Sequence, residues 1–392
     1  MTETIVIVSG ARTPFGAYGG GLSGLSATDL AVVATAGAIK RAGIDPHLVD
    51  HVVMGNVVQT SKDAIYLARH VALRTGARTA VPGLTINQLC GSGVYAVAIA
   101  GMLATSGQAE VVVSGGSDSL SMTPYLCWGV RWGSRMGHLE MWDGLDIVDT
   151  YTRLSMGETA EVLQERYKIS RQEQDKFALR SQMLCKEAQD SGRLSKEIVP
   201  VEVADKKGTT RLVSRDEHPR AETSLEALGR LKPVFKSTGT VTAGNACGIV
   251  DGAAAVVVTT MQAAGKLGLP PLCRVVSWAV EGVAPDVMGI GPVVAIPSAL
   301  RKAGLTLEDI DLIEINEAFA VQYLACEADL VLDRQKVNVN GGAIALGHPF
   351  AASGTRLLLT LALELQERKA RYGLVSLCIG GGMGIAMIIE RL

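Results

Sequence analysis

Val49-Asp-His-Val-Val-Met-Gly-Asn56 has a counterpart far along the chain, in Ile310-Asp-Leu-Ile-Glu-Ile-Asn-Glu317. Upstream of these stretches, Lys40-Arg-Ala-Gly43 likewise matches Arg301-Lys-Ala-Gly304. The second copy follows the first by 261 residues in both cases, since position 49 falls on 310 and position 43 on 304. Any two α/β segments share a glycine turn before a strand, but a constant offset over several motifs indicates an internal repeat. The pattern predicts two tandem α/β halves.

The repeat extends to two further pairs of segments. Ser92-Gly93 falls on Ser353-Gly354, and each pair is expected to open a helix. Val111-Val-Val-Ser-Gly-Gly116 resembles Val375-Ser-Leu-Cys-Ile-Gly-Gly381, a match that needs a three-residue insertion in the second half. The repeat therefore covers the elements from the first helix of each half to a late strand.

Short β-branched segments alternate with helical stretches along the first half. The expected strands are Ile5–Val8, Val52–Met54 and Val111–Val113, and the expected helices are Thr28–Ala42 and Val94–Ser106. This alternation is typical of an α/β protein in which helices and sheets form layers.

The pattern changes between the two halves. This region contains three of the four tryptophans, Trp128, Trp132 and Trp142, and a charged helical stretch around Gln172–Gln189. We expect residues 1–118 and 241–268 to form the N-terminal half, residues 119–240 an inserted loop domain, and residues 269–392 the C-terminal half. Such an insertion is expected to lie over one end of the core, where binding loops usually sit.

Composition excludes several classes of protein. Among 392 residues, 48% are hydrophobic and 19% charged, which is typical of a globular chain and not of a disordered one. A formal net charge of -2 provides no basic field for nucleic acid or an anionic membrane. The sequence shows no apolar run long enough to span a bilayer and no secretory signal, which predicts a cytoplasmic protein. Seven cysteines without a C-x-x-C pair are expected to be free thiols, not a disulfide framework or a zinc site.

Cys90 lies in Thr85-Ile-Asn-Gln-Leu-Cys-Gly-Ser-Gly, between an apolar strand and a helix. A thiol at that place faces backbone N–H groups and the positive end of the helix dipole, both of which favour the thiolate. Cys90 is therefore a candidate nucleophile. An isolated cysteine is more often a buried structural residue, and that interpretation stays open at this point.

His348 lies in Asn338-Val-Asn-Gly-Gly-Ala-Ile-Ala-Leu-Gly-His-Pro, a glycine-framed turn before a helix. The repeat offset places His348 on Asn87, close to Cys90. If the halves pack with pseudo-two-fold symmetry, His348 and Cys90 converge, and the imidazole can take the thiol proton. By itself, His348 would more often be a structural histidine.

Two more segments carry groups suited to acyl chemistry. Cys378 is followed by Ile-Gly-Gly-Gly-Met-Gly, where the backbone N–H of Gly380 can approach a ligand closely and form an oxyanion hole. The alternative is a flexible turn. Asn316 lies where a strand passes into a helix, so its amide can hold a water molecule or polarise a carbonyl, or simply cap the helix.

Together, Cys90 in NQLCGSG, Asn316 in NEAFA, His348 in GHP and Cys378 in CIGGGMG resemble the motifs of the thiolase family, the acetyl-CoA C-acyltransferases. The resemblance runs from IVSGARTPFG near the start of the chain to its last strand. It implies two β-α-β-α-β-α-β-β halves packed as α-β-α-β-α layers, with a loop domain for CoA binding and oligomer contacts inserted in the first half. It also implies a homotetramer, or a dimer as its core.

The resemblance further implies a role for each motif residue. Cys90 would carry the acyl group, His348 would activate it, and Cys378 would move protons to and from the substrate α-carbon. His348 and a water held by Asn316 would form one oxyanion hole, and the N–H groups of Cys90 and Gly380 the other. The implied reaction is CoA-dependent cleavage of 3-ketoacyl-CoA, or the reverse Claisen condensation, with coenzyme A and acyl-CoA as substrates and no bound cofactor or metal.

Ten further residues match CoA-binding positions of the family. They are Met156, Arg220, Phe235, Ala243, Ala246, Cys247, Gly248, Met288, Ala318 and Phe319. Arg220 would contact the nucleotide end, and the remaining residues would line the pantetheine tunnel. For each apolar residue, the alternative is an ordinary place in the core.

The chain departs from the family pattern at several positions. Cys247 stands where the family usually has a serine that bonds to the pantetheine, Ala227 where the biosynthetic branch has a serine near the adenine, and Ser155 where that branch has histidine. A thiol is a weaker hydrogen-bonding group than a hydroxyl, so looser CoA contacts are expected. Phe350 and Ala351 replace the commoner Ile/Leu and Gly, which makes the chain more similar to the degradative branch that acts on longer chains.

Three other functions have weaker support. A decarboxylating β-ketoacyl synthase shares the duplicated fold and nucleophilic cysteine but lacks a second cysteine in C-x-G-G-G, whereas this chain has Cys378. A catalytically silent, thiolase-like lipid-binding subunit should have lost a motif residue, and none is missing. A nicotinamide-dependent oxidoreductase would depend on Gly19–Gly24, which matches G-x-G-x-x-G but does not open a long helix after a strand.

Overall fold

A computed structural model describes residues 3–204 and 208–392. Residues 1–2 of the expected N-terminal half and 205–207 of the expected insertion lie outside the described residues. The strands are β1 (Ile5–Arg12), β2 (Gly16–Ala17), β3 (His51–Gly55), β4 (Gly83–Ile86), β5 (Val111–Ser119), β6 (Tyr125–Leu126), β7 (Trp142–Asp143), β8 (Val148–Asp149), β9 (Leu154–Ser155), β10 (Val201–Ala204), β11 (Thr210–Val213), β12 (Val250–Thr260), β13 (Cys273–Gly282), β14 (Leu312–Ile315), β15 (Tyr372–Ile379) and β16 (Met383–Arg391). The helices are α1 (Ala27–Ala42), α2 (Leu67–Arg74), α3 (Ser92–Thr105), α4 (Met156–Tyr167), α5 (Arg171–Asp190), α6 (Leu225–Gly229), α7 (Met261–Leu267), α8 (Gly291–Ala303), α9 (Ala320–Leu330), α10 (Ala343–Leu346) and α11 (Phe350–Arg368).

The main sheet follows the order β14-β15-β16-β13-β1-β12-β5-β3-β4, with β2 beside β12. The strands of the two halves meet where β1 pairs antiparallel with β13, through Val6–Arg274 and Ile7–Cys273. Each half contains an equivalent parallel pair, β3 with β5 and β14 with β15, and β3 is also parallel to the edge strand β4. The two halves thus use the same local topology on either side of one junction.

Helices cover both faces of each half of the sheet. Helices α3 and α11 pack against each other in the middle, where their apolar residues share one core with strands of both halves. Helices α1 and α2 cover the outer face of the N-terminal strands, and α8 covers the outer face of the C-terminal strands. Strand β1 alternates accordingly, since Ile5 and Ile7 face the central core while Val6 and Val8 face the outer one. The expected α-β-α-β-α layers are confirmed.

The repeat inferred from the sequence is visible in the elements. Helices α1 and α8 end at Ala42 and Ala303, and each is capped by a glycine in the left-handed conformation, Gly43 with φ 68° and Gly304 with φ 67°. Strand β3 begins at residue 51 and β14 at residue 312, which is again an offset of 261. Both pairs therefore obey the predicted spacing.

Two details of the predicted repeat are wrong. Strand β5 begins at residue 111 and β15 at residue 372, and each pairs in the same register with the parallel strand before it. The offset of 261 thus persists into these strands without the expected three-residue insertion. The similar glycine pairs misled the alignment, because Gly115–Gly116 lies within β5 whereas Gly380–Gly381 follows the end of β15. In addition, α11 begins at Phe350, so Ser353 lies one turn inside the helix.

The region 119–240 contains small two-stranded ribbons and the helices α4 to α6, and the predicted charged helix is α5. A buried ion pair ties this region to the core: Arg12 at the end of β1 donates to both carboxylate oxygens of Asp216, at 2.6 and 3.0 Å. The carboxylate also accepts the N–H of Phe15 at 2.8 Å. Within the two described stretches of chain, no helix is long and apolar enough to cross a bilayer. The proposed domain boundaries stay predictions.

Candidate active site

The four sequence motifs meet at one cavity. Cys90, His348, Cys378 and Gly380 all line a mainly apolar cavity of about 270 Å³. Asn316 is fully buried beside it, with its amide Nδ2 3.4 Å from Nε2 of His348. The arrangement places Cys90 of the first half and Cys378 of the second half against the same space as the imidazole of His348.

A short, hydrogen-bonded turn positions Cys90 ahead of α3. The hydroxyl of Ser92 accepts the N–H of Gln88 at 2.8 Å and donates to the carbonyl of Leu89 at 2.7 Å. Leu89 adopts the left-handed conformation with φ 49°, which is uncommon for a residue with a side chain. Asn87 supports it by accepting the Leu89 N–H at 2.9 Å. The turn thereby projects Cys90 into the cavity at the N-terminus of the helix.

The repeated Ser-Gly pairs explain why Cys90 and His348 converge. A Cβ on Gly93 would lie 2.4 Å from the Ala351 carbonyl oxygen, and one on Gly354 would lie 2.8 Å from the Val94 nitrogen. Only glycine allows the first turns of α3 and α11 to approach this closely. Since Cys90 and His348 directly precede these turns, the approach brings both to the cavity, as the symmetry argument predicts.

Two opposing effects act on the protonation of Cys90. Burial raises the pKa of the Cys90 thiol to about 12, although the backbone N–H groups of Gly380 and Cys90 act in the opposite direction. The N–H groups favour the thiolate, as expected, but desolvation of the charge outweighs them. Ionisation of Cys90 requires a base in the cavity.

His348 is suited to be that base. Nδ1 lies 2.6 Å from the Ser353 hydroxyl, and Ser353 in turn is 3.5 Å from the carbonyl of Pro349, to which it donates. Because its own proton is directed at Pro349, the Ser353 hydroxyl accepts a hydrogen bond from Nδ1–H. This assigns the proton of the neutral ring to Nδ1 and leaves Nε2 with a lone pair directed at the amide of Asn316. Burial, assisted by the positive charge of Arg356, lowers the pKa of His348 to about 3. The imidazole is therefore neutral at physiological pH.

Asn316 is held rigidly by its neighbours. Asn338, itself left-handed with φ 48°, accepts the N–H of Ile315 and donates to its carbonyl, both at 2.9 Å. The backbone N–H of Asn316 bonds to Ser376 on β15 at 3.0 Å. Its Oδ1 is buried and accepts no hydrogen bond from the part of the chain that is described. That oxygen is available to a group that enters the cavity.

Cys378 lies near the end of β15, on the opposite side of the sheet junction from Cys90. Burial raises its pKa well above the usual value, and the nearby thiols of Cys90, Cys326 and Cys247 act in the same direction. The glycines that follow make the close turn possible: a Cβ on Gly382, where φ is 86°, would lie 2.4 Å from the Val283 carbonyl oxygen. The turn leaves Gly380 facing Cys90 across the cavity.

The structure distributes the ten expected CoA-contact residues over two adjoining cavities. Seven line the cavity of the motif residues: Met156, Phe235, Ala246, Cys247, Met288, Ala318 and Phe319. Arg220 and Ala243 instead line a smaller cavity of about 100 Å³. Gly248 joins the two, because its carbonyl accepts the N–H of His348 at 2.9 Å while a Cβ on it would collide with His218 of the smaller cavity. The two cavities thus adjoin at Gly248, with the exposed Arg220 at one and the thiols at the other.

Three departures from the family pattern line these two cavities. Cys247 lines the main cavity and its own N–H bonds to the carbonyl of Ala318 at 3.0 Å. Ala227 lines the smaller cavity and leaves it without a hydroxyl at that point. Ser155 begins α4 as its N-cap, since its hydroxyl accepts the Glu158 N–H and donates to the Glu158 carboxylate at 2.8 Å. Its hydroxyl is therefore already engaged within the helix.

Several lining residues were missed by sequence reasoning. Val57, Leu145, Ile147 and Ile249 line the main cavity, and His218 lines the smaller one. The first four are ordinary apolar residues from three loop segments, and no motif spacing in the sequence connects those segments. His218 donates from Nδ1 to the carbonyl of Ala345 at 2.7 Å, a contact that only the packing of the insertion creates.

Comparison with known proteins identifies the family. The family models of the thiolase N-terminal and C-terminal domains match residues 5–262 and 269–391. The chain belongs to the thiolase family. This thiolase is 50% identical over 393 residues to mitochondrial 3-ketoacyl-CoA thiolase of Homo sapiens, covering 100% of the chain and 99% of that protein. It is 46% identical over 401 residues to acetyl-CoA acetyltransferase of Syntrophomonas wolfei, covering all of both chains.

Solved thiolase structures agree with the fold. The human mitochondrial 3-ketoacyl-CoA thiolase in complex with CoA superimposes with a TM-score of 0.97 at 49% identity, over 100% of this chain and 98% of that one. Acetyl-CoA acetyltransferase from Bacillus anthracis gives a TM-score of 0.98 at 44% identity, over 100% and 99%. The predicted family, fold class and acyltransferase activity are confirmed, and neither the decarboxylating synthase nor the silent subunit gains support.

Proposed function

We propose that this thiolase cleaves 3-ketoacyl-CoA with coenzyme A, and catalyses the reverse condensation, through an acyl group carried on Cys90. The observation that carries this proposal is the meeting of Cys90, His348 and Cys378 at one cavity. Cys90 with the neutral imidazole of His348 provides a nucleophile and its base, and Cys378 provides a separate acid-base group. Coenzyme A and acyl-CoA are the substrates, and the chemistry requires no resident cofactor.

In the cleavage direction, the first step transfers the acyl group. Nε2 of His348 takes the thiol proton of Cys90, and the sulfur attacks the 3-keto carbon. The bond between C2 and C3 breaks, its electron pair goes to C2, and the thiol of Cys378 gives C2 a proton to release acetyl-CoA. An acyl thioester stays on Cys90.

In the second step, a new CoA thiol takes the acyl group from Cys90. Cys378 recovers its proton from that thiol, and His348 returns the other proton to the departing Cys90 sulfur, so both groups end as they began. Two negative oxygens develop during the cycle. We assign the stabilisation of one oxygen to hydrogen bonds from Nε2–H of His348 and a water held by Asn316. The N–H groups of Cys90 and Gly380 stabilise the other oxygen.

We infer that CoA lies across both cavities, with its nucleotide end at the smaller cavity and its pantetheine arm in the main one. Arg220 is exposed at the rim of the smaller cavity and is placed to meet the anionic nucleotide end of CoA. The edge-to-face pair of Phe235 and Phe319, with centroids 6.1 Å apart, borders the channel for the apolar pantetheine arm. The same channel must admit both substrates, since each carries a CoA group.

Two single variants test the assigned roles. Cys90→Ser should bind acyl-CoA without forming the acyl-enzyme, whereas Cys378→Ala should acylate Cys90 and yet lose cleavage and condensation. Mass spectrometry of the intact protein after incubation with acetyl-CoA, together with a thiolysis assay, measures both. Cys127→Ser is a matched control, because Cys127 lies outside the cavity. Normal turnover in Cys90→Ser, or normal thiolysis in Cys378→Ala, would contradict the assignment.

We propose a homotetramer built as a dimer of dimers. Strand β4 is an edge strand with Gly83 and Leu84 exposed, and its free hydrogen-bonding groups can pair with a second copy. The loop between β6 and β7 carries apolar side chains into solvent, with Trp132 92% and Met136 98% exposed. A solvent-exposed apolar loop of this kind is expected to be covered in the assembled protein. Light scattering should give a tetramer, and replacing both loop residues with serine should give a dimer; an unchanged tetramer contradicts the loop's role.

We also propose a cytoplasmic location, which is supported by the free cysteines and the acyl-CoA chemistry. Some of the relatives are mitochondrial by name. Fractionation of the native cell, with antibody detection of this chain and of marker enzymes, distinguishes a cytoplasmic from a mitochondrial location. Recovery with an organelle fraction would contradict the proposal.

A further inference from the structure

The main cavity that Cys90 lines has an apolar wall, beside the charged Asp146, that none of the assigned roles uses. It is formed by Val57, Leu89, Leu145, Ile147 and Phe350. These residues come from four separate segments and both halves of the chain. A two-carbon acyl group needs little of this wall, whereas a longer apolar chain gains free energy from each methylene that it buries there.

A single buried carboxylate connects two sides of this wall. Oδ1 of Asp118, near the end of β5, accepts the backbone N–H groups of Val57 and Val58 at 3.0 and 3.2 Å. It also accepts Nδ2 of Asn56 at 3.0 Å, so the segment after β3 is fixed at three points. Oδ2 accepts the N–H of Ala351 at 2.8 Å. Asp118 is fully buried and both of its oxygens are occupied.

These hydrogen bonds join the two halves of the molecule at the acyl site. Val57 belongs to the first half and lines the cavity. Ala351 belongs to α11 of the second half and directly follows Phe350, which lines the same cavity. The ring of Phe350 meets that of His348 edge to face, with centroids 5.3 Å apart. The separation of Val57 and Phe350 is thus set through one side chain.

Close packing around Ala351 makes this separation rigid. A Cβ on Gly116 would lie 2.0 Å from the Ala351 carbonyl oxygen, and one on Gly55 would lie 3.1 Å from the Ala351 Cβ. The start of α11 therefore cannot move toward the first half. Asp118 prevents movement away, because the bond from Ala351 would be lost.

We propose that Asp118 is a positioning residue that fixes the distance between Val57 and Phe350, and that this pair selects 3-ketoacyl-CoA substrates with an apolar chain longer than acetoacetyl. The inference rests on the proposed function. It predicts that kcat/KM for thiolysis rises roughly fourfold with each added methylene until the wall is filled. This factor corresponds to the free energy gained when one methylene is buried.

Asp118→Asn tests the positioning role with little change of shape. The amide oxygen can still accept from Val57 and Val58, but the amide nitrogen then faces the N–H of Ala351 and cannot accept it. Only the tie to α11 is cut. Thiolysis is measured with unbranched 3-ketoacyl-CoA substrates of increasing length, and each rate is divided by the same variant's rate of acetylation by acetyl-CoA. We expect the gain per methylene to fall below twofold.

Asp251→Asn is the matched control. Asp251 is also buried and accepts the N–H and hydroxyl of Ser121 at 2.8 and 2.6 Å, but it does not line the cavity. Its variant should keep the wild-type dependence on chain length, because a general loss of stability does not change that dependence. An equal loss for every chain length in Asp118→Asn would overturn the positioning role.

Phe350→Ala and Val57→Ala decide the outcome if Asp118→Asn does not fold. Each widens the wall and should reduce the gain per methylene for short chains while extending the range of chains accepted. An unchanged dependence in both variants would overturn the inference. Failure of the proposed function is distinguishable, because the wild-type protein would then cleave no member of the series.

Discussion

Nδ1 of His348 lies 2.6 Å from the hydroxyl of Ser353, and both side chains are buried. Ser353 is the repeat counterpart of Ser92, whose hydroxyl holds the turn of Cys90. The same serine of each half therefore orients the nucleophile in one case and the base in the other. The contact between Ser353 and His348 determines which nitrogen of His348 carries the proton, and hence whether Nε2 can act as a base.

Ser353→Ala should slow acylation of Cys90 by about ten- to a hundredfold. The change leaves a buried N–H of His348 without an acceptor, which costs ~1–3 kcal/mol and favours the wrong tautomer. Rapid-quench measurement of acyl-enzyme formation gives the rate. Ser277→Ala is the control, since Ser277 donates to a buried carbonyl, that of Ala299, at 2.8 Å on the far side of the C-terminal sheet. Acylation of Ser353→Ala at the wild-type rate would refute the orienting role.

Alkylation of Cys90 should become faster with pH throughout the range from 6 to 9. With the pKa of Cys90 raised to about 12 and that of His348 lowered to about 3, both groups are neutral over that range. The thiolate fraction then grows with every unit of pH. A thiolate–imidazolium pair would instead react at a constant rate. The rate of inactivation by iodoacetamide, followed in the protein without substrate, distinguishes them; a plateau above pH 6 would contradict the neutral pair.

Cys247→Ser should lower the KM for CoA by about fivefold and leave kcat nearly unchanged. The hydroxyl is a stronger hydrogen-bonding group than the thiol, and a typical bond of this kind contributes ~1 kcal/mol. Steady-state thiolysis at varied CoA concentration gives both constants. Cys127→Ser, which alters a cysteine outside the cavity, should change neither. An unchanged KM in Cys247→Ser would mean that the residue makes no polar contact with CoA.

Arg12→Met should lower the free energy of unfolding by ~3–5 kcal/mol, because the buried carboxylate of Asp216 is left unpaired. Chemical denaturation followed by circular dichroism measures the change. Arg74→Met is the control: Arg74 pairs with Asp29 at 2.7 Å, but Arg74 is exposed and Asp29 only half-buried, and such a surface pair contributes less than ~1 kcal/mol. Similar losses for the two variants would contradict a special role of the buried pair.

Much of the fold could be predicted from the sequence because its elements repeat. The glycines that end α1 and α8, and the Ser-Gly pairs near the starts of α3 and α11, are local signals with local causes. The three-residue insertion was a wrong prediction for a related reason. Two similar glycine pairs lie in different places, one inside a strand and one after it, and only strand register distinguishes them.

The candidate site was predictable to the extent that its residues lie in motifs. A reactive side chain in a glycine-framed or strand-end segment can be recognised from the sequence, and four site residues lie in such segments: Cys90, Asn316, His348 and Cys378. Val57 and Leu145 carry no such signal, since an apolar residue in a loop is common. Asp118 was likewise undistinguished, because its importance depends on hydrogen bonds to segments about 60 residues upstream and more than 230 residues downstream.

The sequence by itself determined the duplication, the alternation of helices and strands, and which side chains can do acyl chemistry. These properties depend on residue type and on spacing along the chain, and neither requires knowledge of tertiary contacts. Only the tertiary structure decided that burial outweighs the helix end at Cys90, that His348 is neutral, and that Asp118 joins two walls of the acyl site. Those outcomes depend on desolvation and on contacts between distant segments, and both exist only once the two halves have packed together.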